Sequence, residues 1–155
     1  MYSIQSIEAY KMAIQKGFLQ SNKKYQMDHI SYNWMGKQME KRLNGYSFDN
    51  GIIWLWKDKP KNMYKWTGET GTKMVLLEIE VNEEEVLLSN FEFWSCMIFD
   101  LNNGTSKEDF YEFYGYKMED VFEMRSLKGF GNTIQGTTGK IVIEQIKKLK
   151  FFICR

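Results

Sequence analysis

Strand-like and helix-like segments follow one another in this chain of 155 residues without alternating regularly. The order reads strand, helix, helix, strand, strand, then helices, then strands. A doubly wound parallel sheet needs a crossover helix between successive strands, so this order points instead to an α+β fold. We expect a mixed, mostly antiparallel sheet, open to a split into two halves, with helices packed on it.

The clearest strand runs from Lys73 to Val81. Val75, Leu77, Ile79 and Val81 fall on one face, and Met74, Leu76, Glu78 and Glu80 on the other. Tyr2-Ser3-Ile4 and Gly51 to Trp56 are further strands, and Val86-Leu87-Leu88 is extended. Asn132 to Gly139, Lys140 to Ile143 and Leu149 to Cys154 read as strands around a short turn. A first helix starts at Ser6, a good N-cap eased by Glu8, buries Ile7, Tyr10 or Met12, and Ile14, and stops at Gly17. A second opens at Asp28 and runs to about Leu43, with Tyr32, Met35, Met39 and Leu43 as its apolar stripe. Phe91 to Leu101 and a segment capped by Ser106 are helical, and Met118 to Arg125 reads as one more helix.

Length and charge bound the rest. Residues 1–155 make one domain by size, with enough chain for a real core. A net charge of +1 argues against coating nucleic acid or an anionic membrane. One His and two Cys are too few for a Cys/His metal site, so no metal is expected. Cys96 and Cys154 have no framework spacing and read as reduced thiols. With no signal-like start and no apolar run of about 20 residues, the expected location is the cytoplasm.

Candidate site residues carry polar tips on large or planar side chains. Trp34, Gln38 and Arg42 form a row at spacing four on the second helix: an indole for stacking, an amide, and a guanidinium suited to a phosphate or carboxylate. The plainer reading is a core indole with Gln38 and Arg42 tying the helix to a neighbouring loop. Trp54 and Trp56 share a strand face, with Trp66 as a third wall of an aromatic pocket, or they lie beneath a helix. Gln135-Gly136-Thr137-Thr138-Gly139 reads either as a turn or as a loop bringing backbone N–H groups to a phosphate. Glu78 and Glu80 read as a solvated strand face. His29, at a helix start, lacks a Ser or Cys partner signature.

The stretches Ile4-Gln5-Ser6, Tyr32-x-Trp34-Met35-x-x-Gln38-Met39-x-x-Arg42, Ile53-Trp54-Leu55-Trp56, Leu76 to Val81, Val86 to Phe91 and Ile134-Gln135-Gly136-Thr137 together resemble a bacterial and phage family, the domain of unknown function 3841. That family has no assigned activity, so the resemblance implies no catalytic residue. More remotely, the element order is similar to small ADP-ribosyltransferase-like domains, which bind NAD in a cleft between half-sheets. This likeness implies NAD as the cofactor, Ser3 or Gln5 at the His or Arg position of the first strand, and Gln135 near the catalytic Glu position. A Gln cannot carry the charge that steadies an oxocarbenium-like centre, which counts against ordinary transferase chemistry.

Two functions follow. In one, Gln5, Trp34, Gln38, Arg42, Trp54, Gln135 and Thr137 gather around one pocket for a small nucleotide such as NAD or ADP-ribose. In the other, the chain is a non-enzymatic module whose aromatic surplus binds a protein partner.

Overall fold

A computed structural model describes residues 1–21 and 30–155. The described elements are β1 (Tyr2–Ser6), α1 (Ile7–Lys16), β2 (Phe18–Gln20), α2 (Ile30–Arg42), β3 (Ile53–Trp56), β4 (Lys73–Ile79), β5 (Leu87–Asn90), α3 (Phe91–Asn102), α4 (Lys107–Tyr114), β6 (Ile134–Thr138), β7 (Lys140–Val142) and β8 (Ile146–Ile153). The fold is α+β. Six strands form one sheet in the order β5-β6-β3-β1-β4-β8, and β2 pairs with β7 in a second, two-stranded sheet. Every described pairing is antiparallel, so no parallel strand makes the sheet mixed.

The large sheet is nearly two sheets. β1 lies along β4 over five residue pairs but meets β3 at a single one, Tyr2 opposite Trp56. From there β1 and β3 diverge. One side-chain bond still links them further along, from the Ser3 hydroxyl to the Trp54 carbonyl at 3.0 Å.

Each face of the sheet carries its own core. Ile53, Leu55, Val75 and Leu77 point toward α1 and the β2–β7 ribbon, where Ala13, Leu19 and Ile141 are buried against them. On the other side, Trp54 and Leu87 lie under α2 and α3, packed with Met35, Met39, Phe93, Trp94 and Met97. This second core is rich in rings. Phe93 is fully buried, with ring centroids of Phe110, Tyr116 and Phe130 at 5.7, 6.0 and 4.7 Å.

Local chemistry sets the element ends. The Ser6 hydroxyl accepts the Ala9 N–H at the start of α1, and Gly17 ends that helix in the left-handed conformation (φ 80°). Ser106 caps α4 in the same way, through the Asp109 N–H at 3.0 Å.

Three expectations need correcting. The buried face of α1 is Ala13, flanked by half-buried Ile7, Ala9 and Tyr10, while Met12 and Ile14 are about half exposed. Ala13 is the residue of this helix fully covered by the sheet-side core, with Ile7 and Tyr10 packed around it. Met118 to Arg125 is not a helix. It forms only a 3-10 turn, Met118–Phe122, after which Glu123 turns extended, with Val121 held in the core. Gln135 to Thr138 is neither a turn nor a phosphate loop but β6 itself, paired with β3 on one side and β5 on the other. Its backbone serves these ladders, so it has no row of free N–H groups to offer an anion. The Asp28 cap and His29 lie outside the described residues.

One half-buried pair gives the fold a titration signature. The Tyr114 phenol donates to Asp100 Oδ2 at 3.0 Å. Burial, then the hydrogen bond to Asp100 and its negative charge, push this phenol up to about 12. An unfolded Tyr ionises near about 10. The group therefore contributes stability that is whole below about pH 10 and is lost as pH rises through the folded value. Urea midpoints measured from pH 8 to pH 11.5 should fall more steeply for the wild type than for Tyr114→Phe. Parallel curves would contradict this assignment.

Candidate functional site

The divergence of β1 from β3 opens a cavity of about 510 Å³. Its walls are Ile4, Gln5 and Ser6 of β1, the α1 face carrying Glu8, Ala9, Met12, Ala13 and Lys16, all of β2, and Ile52, Ile53 and Trp54. The lining is mainly apolar with a few polar groups at intervals, the usual character of a small-molecule site. The position of Met12 is now explained: its half-exposed side chain lies on this wall rather than in the core.

Gln5 is the polar group best fixed in place. Its Nε2 donates to the Ser3 hydroxyl at 2.8 Å, and that hydroxyl in turn donates to the Trp54 carbonyl. Ser3 is fully buried, so this chain of bonds couples the two diverging strands at the root of the cleft. The amide is held by one end, and its Oε1 has no hydrogen-bond partner among the described residues. Trp54 borders the cavity by its place on β3, but its ring belongs to the core under α2 and α3. Its ring stacks on Trp94 (5.6 Å, 29°) and meets Tyr32 edge-on (6.0 Å), which locks its rotamer. Lys16, in the last turn of α1, and Glu8, in its first, add one charge of each sign. Gln20 donates to Asn50 Oδ1 at 3.2 Å, tying β2 to the segment before β3.

The structure brings only two of the seven candidates, Gln5 and Trp54, to this cavity. Trp34, Gln38 and Arg42 do lie in one row, but on the far side of α2. Trp34 is stacked on Phe122 (5.7 Å, 4°) and on Trp94 (6.1 Å), and the Arg42 guanidinium sits 4.5 Å over the Phe122 ring while donating to Gln38 Oε1. The row thus ties α2 to the 3-10 turn at Met118–Phe122, the plainer of its two readings. Trp56 likewise packs against Phe91 (4.8 Å) and Trp66 (6.0 Å) rather than lining the cavity.

Gln135 and Thr137 lie inside the sheet, on the face covered by α3. Thr137 stands opposite Trp54 in the β3–β6 register and donates weakly to the Leu87 carbonyl at 3.4 Å. Gln135 stands opposite Ser89 on β5, and both Gln135 Nε2 and Ser89 Oγ are buried without a hydrogen-bond partner. Two such groups side by side are the usual setting for a buried water. Glu78 and Glu80 are paired with Lys148 (3.0 Å) and Lys147 (2.9 Å), a solvated strand face as expected. Cys96 is only partly buried rather than fully in the core, and burial followed by the nearby Asp100 charge raises its thiol. No group of three or more His, Cys, Asp or Glu residues suited to a metal occurs among the described residues. None of the described helices is long and apolar enough to cross a membrane.

Sequence comparison decides the family. The model of the domain of unknown function DUF3841 matches residues 1–149. The chain belongs to that family. The match spans β1 and β3, so both strands that form the cleft lie within the DUF3841 region. No curated protein and no solved structure matches the chain.

Sequence reasoning missed Met12, Lys16 and Gln20 as cavity residues. Their signal was weak: Met12 reads equally as a buried residue of the first helix, and Lys16 and Gln20 are only long polar side chains near Gly17.

Proposed function

We propose that the cleft between β1 and β3 binds a small nucleotide of the NAD or ADP-ribose kind. The observation that carries this reading is the single-bridge junction of β1 and β3, which leaves a cavity of about 510 Å³ between two half-sheets. The free Oε1 of Gln5 would accept from the amide or amino edge of a flat ring lying between α1 and β1. Lys16 would neutralise part of a diphosphate. The remote likeness to ADP-ribosyltransferase-like domains supports the same location, since those domains use a cleft between half-sheets.

The reading is one of binding rather than of ordinary glycosyl transfer. Gln135, at the position the likeness assigns to a catalytic Glu, is uncharged, 3 % exposed and outside the cavity lining. A thermal-shift panel with NAD, ADP-ribose, AMP and a non-nucleotide anion tests the proposal. Stabilisation by the first two at sub-millimolar concentration is the expected result. No shift with any nucleotide at millimolar concentration would overturn it.

The second reading, a non-enzymatic protein-binding module, is favoured by exposed apolar side chains outside the cavity. Phe113 is 81 % exposed and Phe99 72 %, on two successive helices. Retained nucleotide binding in a variant with both replaced by Ser would separate the two readings.

A further inference from the structure

β8 is an edge of the large sheet, and among the described residues no strand pairs with its outer side. It is eight residues long, where edges are usually kept short. Its backbone direction follows from its end. The Cys154 N–H donates to the Thr72 carbonyl and the Cys154 carbonyl accepts from Gly71, so even-numbered residues turn their amides inward to β4. By alternation, Leu149, Phe151 and Ile153 turn theirs outward. Beyond them the edge is closed, because the Arg155 N–H donates to the Tyr64 carbonyl.

These same three residues carry exposed apolar side chains on one face: Leu149 41 %, Phe151 57 % and Ile153 53 % exposed. Lysines on an edge strand often prevent pairing. Here Lys147 and Lys148 are already bridged to Glu80 and Glu78, while Lys150 has no ion-pair partner among the described residues.

We propose that a second copy of this chain docks on β8, antiparallel to it, joining two six-stranded sheets into one. The pattern is self-complementary in one register. With Phe151 opposite Phe151 of the second copy, Leu149 faces Ile153 and Ile153 faces Leu149. All six residues then turn their free amides toward each other, and Lys150 lies beside the Phe152 ring instead of another lysine. Shifting the register by two residues one way puts Lys150 directly against Lys150, a like-charge pair that disfavours it, and shifting it the other way sets Leu149 against Arg155, whose amide is already bonded to Tyr64. An antiparallel edge-to-edge contact about a two-fold axis is closed, so assembly stops at a dimer.

Light scattering and sedimentation of the intact chain test this, with two variants. The expected mass is that of a dimer at about 0.1 mM, where a contact of ordinary size is formed. Phe151→Lys, a change at an exposed position, should give a monomer with an unaltered circular dichroism spectrum. In a Cys96→Ser background, Phe151→Cys should form a disulfide-linked dimer under mild oxidation, since opposed residues of such a pair lie about 5.5 Å apart between Cα atoms. Lys150→Cys should not. A monomeric wild type, as expected if the edge takes a strand from a different protein or stays unpaired, overturns the proposal. So does a dimer that survives Phe151→Lys, or cross-linking through position 150 instead of 151.

Discussion

Phe93→Ala should destabilise the fold by about 3–5 kcal/mol, the range for a large side chain removed from a packed interior. Phe93 stands where α3 meets α4 and the Lys128–Gly131 turn, edge-on to Phe110, Tyr116 and Phe130. Its removal costs transfer free energy and leaves a void that three rings cannot close without leaving their own contacts. In a chain of this size each kcal/mol moves Tm by about 2–4 °C, so a drop of roughly 6–20 °C is expected. Phe113→Ala is the control. The same chemical change at a ring 81 % exposed should stay within about 0.5 kcal/mol. Equal losses at the two positions would show that the ring cluster under α3 is not the core of this face.

Gly36→Ala should destabilise as well, although alanine is the better helix former by about 1 kcal/mol. Gly36 lies inside α2 and is buried. A Cβ there would overlap the edge of the Phe48 ring at Cδ2 and Cε2, with Cγ at 2.8 Å, so the whole ring would have to move. Overpacking of this kind typically costs about 1–3 kcal/mol and should exceed the helical gain. Phe48→Ala in the same chain should recover most of the loss, giving a clearly non-additive cycle by urea denaturation. A Gly36→Ala variant more stable than the wild type would mean that α2 and the Phe48 segment do not touch.

The helices were the most legible part of the sequence because their signals are local. The stripe Tyr32, Met35, Met39 and Leu43 depends only on a spacing of three or four residues, and α2 buries Met35, Met39 and Leu43 as that spacing requires. Caps at Ser6 and Ser106 depend on a hydroxyl three residues from an N–H. Where a face is chosen by a distant neighbour, the same reasoning failed. α1 turns Ala13 rather than Ile14 inward because of the sheet below it, which no residue of α1 encodes. The segment of β6 reads two ways in the sequence: Asn132 to Gly139 belongs to the closing strands, while Gly136 and two threonines also look like a turn. Yet a Cβ at Gly136 would meet Val86 Cγ1 at 2.6 Å, so glycine is required by close packing within a strand.

The candidate site was legible in part. Gln5 and Trp54 could be picked out as planar, polar-tipped side chains, and both line the cleft. Their meeting depends on the single bridge between β1 and β3, a pairing of residues 54 positions apart that composition cannot reveal. Arg42 stands out as a guanidinium suited to a phosphate or carboxylate, but its partner is a ring on a turn some 80 positions away, equally invisible to local pattern. One physical lesson covers both. A fork-shaped donor or an indole is chosen as readily to clamp two elements of a fold as to hold a ligand, and only the surrounding geometry distinguishes these uses.

Calorimetric titration of NAD and ADP-ribose into the wild type and into Ala9→Trp tests the nucleotide cleft most directly. Ala9 is on the cavity wall, half-buried, and an indole there fills the space between α1 and β3 without disturbing the Ser6 cap, which uses only the Ala9 backbone. Saturable binding by the wild type, weakened at least about tenfold, or about 1.4 kcal/mol, in the plugged variant, is the predicted result. Absence of binding heat in the wild type, or equal affinity in both proteins, would contradict a ligand held between β1 and β3.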